Sequence, residues 1–204
     1  MKSAAINKGR SNQKKKTRAR IVNAAKKLMS DNKKVSIEEV ADEAKISRAT
    51  IYRYFTNIDL LCTEASLDIH FLTPVQLFDK VKDWPLNECI LFIQNYYNNM
   101  AQEHELIFRR YLSATLIEPF GSNKKIRGAR RVEAMSLVLE PYKSQMSKTD
   151  LDNLKNISTI LMGIEPVIVS KDVCRLQNNQ TNDTLKWGIE MILKGMNIDF
   201  KDKK

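Results

Sequence analysis

At 204 residues, with 43% hydrophobic and 28% charged side chains, the chain has the composition of a soluble globular protein with room for a small domain joined to a larger one, which excludes general disorder. Cys62, Cys89 and Cys174 are too widely spaced for a disulfide framework or a zinc site, so no metal or cofactor is expected and a reducing cytoplasm fits; no signal-length apolar run opens the chain, and no stretch of about 18 apolar residues suits a membrane. The formal net charge of +10 is uneven: residues 1 to 62 hold 15 basic and 6 acidic side chains, residues 63 to 204 hold 19 and 18, so a basic head suited to a polyanion precedes a nearly neutral body.

Six glycines and five prolines leave few breakers, and apolar residues recur mostly three and four positions apart, which predicts an all-α protein. Residues 1–16 read as a basic flexible arm. In "TRARIVNAAKKLMSD", residues 17–31, Ile21, Ala24, Ala25, Leu28 and Met29 share one stripe, giving an amphipathic helix that Asn32 is suited to close in a left-handed conformation. "SIEEVADEA" follows, where Ser36 and Glu39 form a capping box and Ile37, Val40, Ala41 and Ala44 mark the inner face. Ser47 then caps a third helix, accepting from the amide of Ala49 or Thr50. Two short helices joined by about three residues make a helix-turn-helix.

At about 100° per residue, Ile51 and Phe55 of "SRATIYRYFTN" face inward, Ala49 and Arg53 face outward, and Thr50 and Tyr52 lie between. This face suits a DNA major groove. Ala49 permits close approach, Arg53 reaches base edges, and the flanking hydroxyls reach phosphates, while Arg48 in the first turn also extends toward a base. Singly, Tyr52 and Tyr54 fit half-buried packing, and Arg48 and Arg53 fit ordinary surface charge. The capped helix pair and its basic flank are what point to the groove.

"RIVNAAKKLMSDNKKVSIEEVADEAKISRATIYRYFTNIDLL", residues 20–61, and within it above all "IEEVADEAKISRATIYRYF", resembles the DNA-binding domain of TetR-type transcriptional regulators. The resemblance implies a three-helix head that binds an operator and a larger helical body that binds a small ligand and forms the homodimer. It assigns base or groove contacts to Arg48, Ala49 and Arg53, phosphate contacts to Thr50, Tyr52 and Tyr54, and capping to Ser36 and Ser47. Three positions depart from the family pattern. Lys45 stands where Gly is usual in the turn, at a cost of about 1 kcal/mol if the turn is left-handed. "NKKVS" is shorter than the usual connection and lacks its Gly-aromatic pair. Ile58 replaces a lysine that often touches phosphate, and Lys16, Arg18 and their basic neighbours would compensate on backbone or minor groove.

The body reads as helices with breaks near Thr73-Pro74, Trp84-Pro85, Pro119 to Ser122 and residues 176–183. By family analogy "NIDLLCTEASLDIHFL" transmits ligand binding to the heads. Phe92, Tyr96, Tyr97, Phe108 and Tyr111 fit either an apolar ligand pocket or a plain helical core. Among the polar residues there, His104, Arg109, Arg110 and Glu165 are the ones to place first.

"LDNLKNISTILMGIEPVIVSKDV" reads as a two-faced helix in which Ile160, Ile164, Val167 and Ile168 offer more apolar surface than one neighbour needs, with a kink at Pro166. In "TNDTLKWGIEMILKGM" the stripe through Ile189 and Ile192 is accompanied by Trp187 and Met191 on another side. These two helices resemble the family's dimer interface, a four-helix bundle between subunits.

The expected organisation is thus an arm (1–16), a helix-turn-helix domain (17–62) and a helical ligand-binding and dimerisation domain (63–204). The function that follows is a ligand-responsive repressor acting as a cytoplasmic homodimer on double-stranded DNA with a pseudo-palindromic operator. The alternative is a DNA-binding interaction protein whose body takes a protein partner. Two histidines and no phosphate loop, nucleophile elbow or HExxH pattern give no catalytic constellation, so an enzyme is not expected.

Overall fold

The computed structural model describes residues 2–31, 35–116 and 129–196, which form helices and connecting turns with no strand among them. Asn32 and the break expected at Pro119 to Ser122 lie outside the described residues. The helices are α1 (Lys2–Ser30), α2 (Ile37–Ala44), α3 (Arg48–Tyr52), α4 (Ile58–His70), α5 (Pro74–Val81), α6 (Leu86–Glu103), α7 (Glu105–Leu116), α8 (Arg130–Leu139), α9 (Lys148–Ile160), α10 (Ile164–Ile168) and α11 (Asn178–Gly195). They divide into two compact units. The first holds α1 to α4 and the end of α7 from Arg110; the second holds α5, α6, α7 as far as Arg109, and α8 to α11. The boundary expected at residue 62 falls inside α4.

In the first unit, Ile21, Ala25 and Leu28 of α1 meet Ile37, Val40, Ala41 and Ala44 of α2, Ile51 of α3, Phe55, and Leu60, Leu61 and Ala65 of α4 in one buried core. These are the positions that helical spacing selects, so the head forms around the predicted stripes. α1 begins at Lys2, well before the expected Thr17, and the segment expected as a flexible arm is the first half of this helix. Its Lys, Arg, Gln and Ala residues favour helix, it contains no proline, and Gly9 alone is a weak point.

Capping fixes the next two helices. Ser36 Oγ accepts from the Glu39 amide at 3.3 Å while the Ser36 amide donates to Glu39 Oε2 at 3.0 Å, the reciprocal box expected at the start of α2. Lys45 ends it in the left-handed conformation, φ 50° and ψ 50°, and the Ile46 and Lys45 amides donate to the Ala41 and Asp42 carbonyls at 3.0 and 3.1 Å. This is a Schellman closure made on a lysine rather than a glycine. The Ser47 side chain accepts from the Thr50 amide at 3.2 Å to start α3. Past Tyr52 the chain keeps turning, and the Phe55 amide donates to the Ile51 carbonyl at 2.9 Å, so Ile51 and Phe55 do share the inner side.

The core of the second unit joins Leu77 and Val81 of α5, Leu86, Ile90 and Ile93 of α6, Met135 and Val138 of α8, Leu154 of α9, and Ile189 and Leu193 of α11. Thr73 caps α5 with Gln76, and Pro74 takes its first helical position, where a missing N–H leaves nothing unpaired. Pro85 likewise precedes α6.

Two expectations for this unit are overturned. The stretch read as one helix with a kink at Pro166 breaks earlier, at Leu161 to Gly163, where Gly163 takes φ 88°. Pro166 lies in the first turn of α10, where its lack of an N–H removes no intrahelical bond. α10 then loosens into a π-helical turn, Val169–Val173. The break expected at 176–183 is mostly helix, because α11 starts at Asn178. The amide-rich run read as loop supplies its own cap, with the Gln177 amide donating to Gln180 Oε1 at 2.9 Å.

Side chains from other helices satisfy the backbone opened by the break before α10. Gln94 Nε2 donates to the Leu161 carbonyl at 3.0 Å and to the Leu185 carbonyl at 2.9 Å, and Asn98 Oδ1 accepts from the Gly163 amide at 2.8 Å. Arg131 donates to the Met162 carbonyl and meets Glu165 through both terminal nitrogens at 2.9 and 3.0 Å. Gln94 and Asn98, each about 2% exposed, are buried with their amides used rather than stranded.

Candidate nucleic-acid interface

Ile51, fully buried, and Phe55, 1% exposed, anchor the third helix, and their burial decides what faces outward. Arg48, Ala49, Tyr52 and Arg53 are exposed, Tyr52 by half of its surface. Thr50 and Tyr54 are half-buried. A small residue, two arginines and a phenol on the open side of a capped helix pair can reach base edges and phosphates at once. The Thr50 hydroxyl lies 2.9 Å from that of Ser47, so each orients the other beside the cap. Tyr54 packs its ring against the head core. Ile58 does the same at the start of α4, which Asn57 caps by accepting from the Leu60 amide at 2.8 Å.

The two arm residues separate. Lys16 is exposed on α1. Arg18, expected beside it as a backbone contact, is turned inward: its guanidinium pairs with Glu64 of α4, donates to the Tyr54 carbonyl at 3.3 Å and lies 4.3 Å from the centre of the Phe55 ring. These contacts hold the guanidinium against the head core. Arg20 donates to the Lys45 carbonyl at 3.3 Å, beside the left-handed turn.

Sequence reasoning missed the acidic partners. Glu64 stands 46 positions from Arg18, and no local pattern joins them. Glu38 accepts from Arg48 Nη1 at 2.9 Å. The signal for that pair was available only indirectly, in a first helix of just eight residues followed by a short turn, which leaves a long arginine at the start of α3 within reach of α2.

The residues expected to line a pocket fall in both units. Phe92, Tyr96 and Tyr97 gather on α6, with Tyr96 and Tyr97 edge to face at 5.4 Å and Phe92 edge to face with Trp84 at 5.4 Å. The Tyr96 hydroxyl accepts from the Leu72 amide at 2.7 Å. Tyr97 is buried with no hydrogen-bond partner for its hydroxyl, and burial pushes that phenol far above the ordinary tyrosine value. His104 closes α6, and Phe108 is half-buried on α7. Tyr111 packs on the core of the first unit, because the end of α7 from Arg110 contributes there.

Of the polar residues to be placed first, Arg109 forks onto Asp172 at 2.7 Å through two nitrogens and also holds Glu105 at 2.8 Å, while Lys171 pairs with the same Glu105. Glu165 is taken by Arg131, and Arg110 is exposed.

The expected dimer residues also divide. Ile160 and Trp187 are 63% and 61% exposed and Met191 is exposed as well. Ile164, Val167 and Ile189 are instead buried within the chain, because the break at Gly163 turns α10 inward and α11 places Ile189 toward α6. Ile168 and Ile192 are half-buried, the latter packed on the same core.

Among the described residues no group of three or more His, Cys, Asp or Glu side chains is arranged to hold a metal ion, and no helix is long and apolar enough to cross a membrane. No curated protein and no solved structure matches the chain. The sequence pattern of the family described as bacterial regulatory proteins, tetR family, matches residues 21–65, which span the core of the head from Ile21 to Ala65. The family pattern begins and ends where this buried core does, around a helix with exposed arginines, so the head of the chain is similar to the DNA-binding domain of the tetR family of bacterial regulatory proteins.

Proposed function

We propose that the chain is a ligand-responsive repressor that binds a pseudo-palindromic operator as a homodimer. The outward face of α3 is the observation that carries this reading: Arg48, Ala49 and Arg53 are exposed above the buried Ile51 and Phe55, with Tyr52 beside them. Arg48, Ala49 and Arg53 take base edges, and Thr50, Tyr52, Tyr54 and Lys16 take phosphates. One helix reads only a few base pairs, so two copies on successive half-sites supply the specificity. The exposed Ile160, Trp187 and Met191 on α9 and α11 support self-association through those helices. An effector with an apolar or aromatic body is received near Phe92, Tyr96 and Tyr97. It weakens operator binding to the extent that it prefers the dimer whose heads no longer match the half-sites.

Fluorescence anisotropy with duplexes from the DNA flanking the chain's own gene tests the reading. Sequence-dependent binding that weakens with added salt supports it. Equal affinity for all duplexes of the same length contradicts it.

A further inference from the structure

Glu38 on α2 and Arg48 on α3 form an ion pair across the helix-turn-helix, Oε1 to Nη1 2.9 Å, with both side chains more than 60% exposed. We propose that Glu38 is a specificity-determining positioning residue, which holds Arg48 so that one edge of its guanidinium is presented to a guanine. The inference rests on the reading of Arg48 as a base contact.

The guanidinium is a rigid plane with five N–H donors, and a base can be gripped through two of them only along one edge. The edges that suit guanine O6 and N7 are the terminal pair, Nη1 with Nη2, and the side pair, Nε with Nη2. The carboxylate of Glu38 occupies Nη1. The side edge shares no nitrogen with that contact, and it is the edge assigned to the base. An exposed pair of this kind adds little to folding, so stability does not account for it. On a face that approaches phosphates it has two other effects. It restrains a long side chain before the DNA arrives, and its negative charge repels the backbone oxygens that would otherwise attract Arg48. Both effects favour a base over a phosphate as the arginine's target.

The test uses the full chain and its Glu38→Gln, Arg48→Ala and doubly substituted variants, each checked for unchanged thermal melting. Preferred sequences are selected by the unsubstituted chain from a randomised double-stranded oligonucleotide pool. Anisotropy is then measured on the selected duplex, on duplexes with each guanine replaced, and on an unrelated duplex at two salt concentrations. Glu38→Gln is expected to reduce discrimination at one guanine per half-site about tenfold, with binding to the unrelated duplex equal or tighter. Arg48→Ala is expected to lose the same discrimination, and the double variant to lose no more than Arg48→Ala alone. Full discrimination retained by Glu38→Gln, with one position lost in Arg48→Ala, overturns the role of Glu38 alone. An Arg48→Ala variant that keeps every preference overturns it together with the base contact. A chain that selects no sequence overturns the operator reading as well.

Discussion

Lys45 holds a left-handed backbone at the tightest point of the head, where a side chain with a Cβ is strained by about 1 kcal/mol. Lys45→Gly is expected to raise head stability by about 0.5 to 1 kcal/mol, less whatever glycine adds to the freedom of the unfolded chain, as read from urea denaturation. Gly163 is the opposite case. A Cβ there would lie 2.8 Å from Arg131 Nη1, which is already engaged with the Met162 carbonyl and Glu165, and φ is 88°. Gly163→Ala should therefore lose about 1 to 3 kcal/mol in the same assay. On the exposed face of the third helix, the proposed reading expects Arg53→Ala to change which sequences are preferred and Tyr52→Phe to weaken all sequences alike. Anisotropy on a panel of duplexes separates the two outcomes.

At the scale of helices, Arg18 is the fastening of the head. It ties α1 to Glu64 on α4, to the Tyr54 carbonyl just past α3 and to the Phe55 ring, so one side chain links three elements. Arg18→Met keeps much of the stem's packing and takes the guanidinium away from Glu64, the Tyr54 carbonyl and the Phe55 ring; a loss of about 1 to 3 kcal/mol in head stability is expected by denaturation. A surface arginine used on phosphate would show almost none. The helices of the head could be read from the chain because their signals are local: Ser36 with Glu39, Ser47 with Thr50, and stripes three and four apart. The contacts of Arg18 were not legible because its partner is distant in sequence. The division of α7 between units, and with it the place of Tyr111, had no local mark either, since the aromatic spacing is the same whichever core it enters. The stripe through Leu161 and Ile164 read as continuous because a lone glycine in a helical pattern does not announce a positive φ.

For the molecule as a whole, self-association and acid sensitivity are the measurable properties. Ile160→Glu combined with Trp187→Glu should shift the sedimentation coefficient from dimer to monomer at micromolar concentration without lowering the melting temperature, because both side chains are mostly exposed within the chain. The Glu105 carboxyl is opposed by burial, yet hydrogen bonds from Lys171 and Arg109 outweigh that and hold it below its ordinary value of 4.5. Asp172 is held below 3.8 by the Arg109 hydrogen bond. A carboxylate depressed in the folded state favours folding above its unfolded pKa, and the benefit disappears as pH falls through the folded value. The melting temperature is thus expected to drop as pH is lowered beneath about 4.5, and Glu105→Gln to flatten part of that drop.

The joint at Leu161 to Gly163 also sets an order of events. Its backbone groups are satisfied from 67 positions away by Gln94, 65 by Asn98 and 31 by Arg131, so no neighbouring segment can complete it. Contacts this remote form only after α6, α8 and α9 have met, and closing such loops is what slows folding. The Gly163 amide is then a late-formed and late-broken bond. Its hydrogen exchange should report opening of the entire second unit, at a rate set by global unfolding rather than by fraying of either helix beside it.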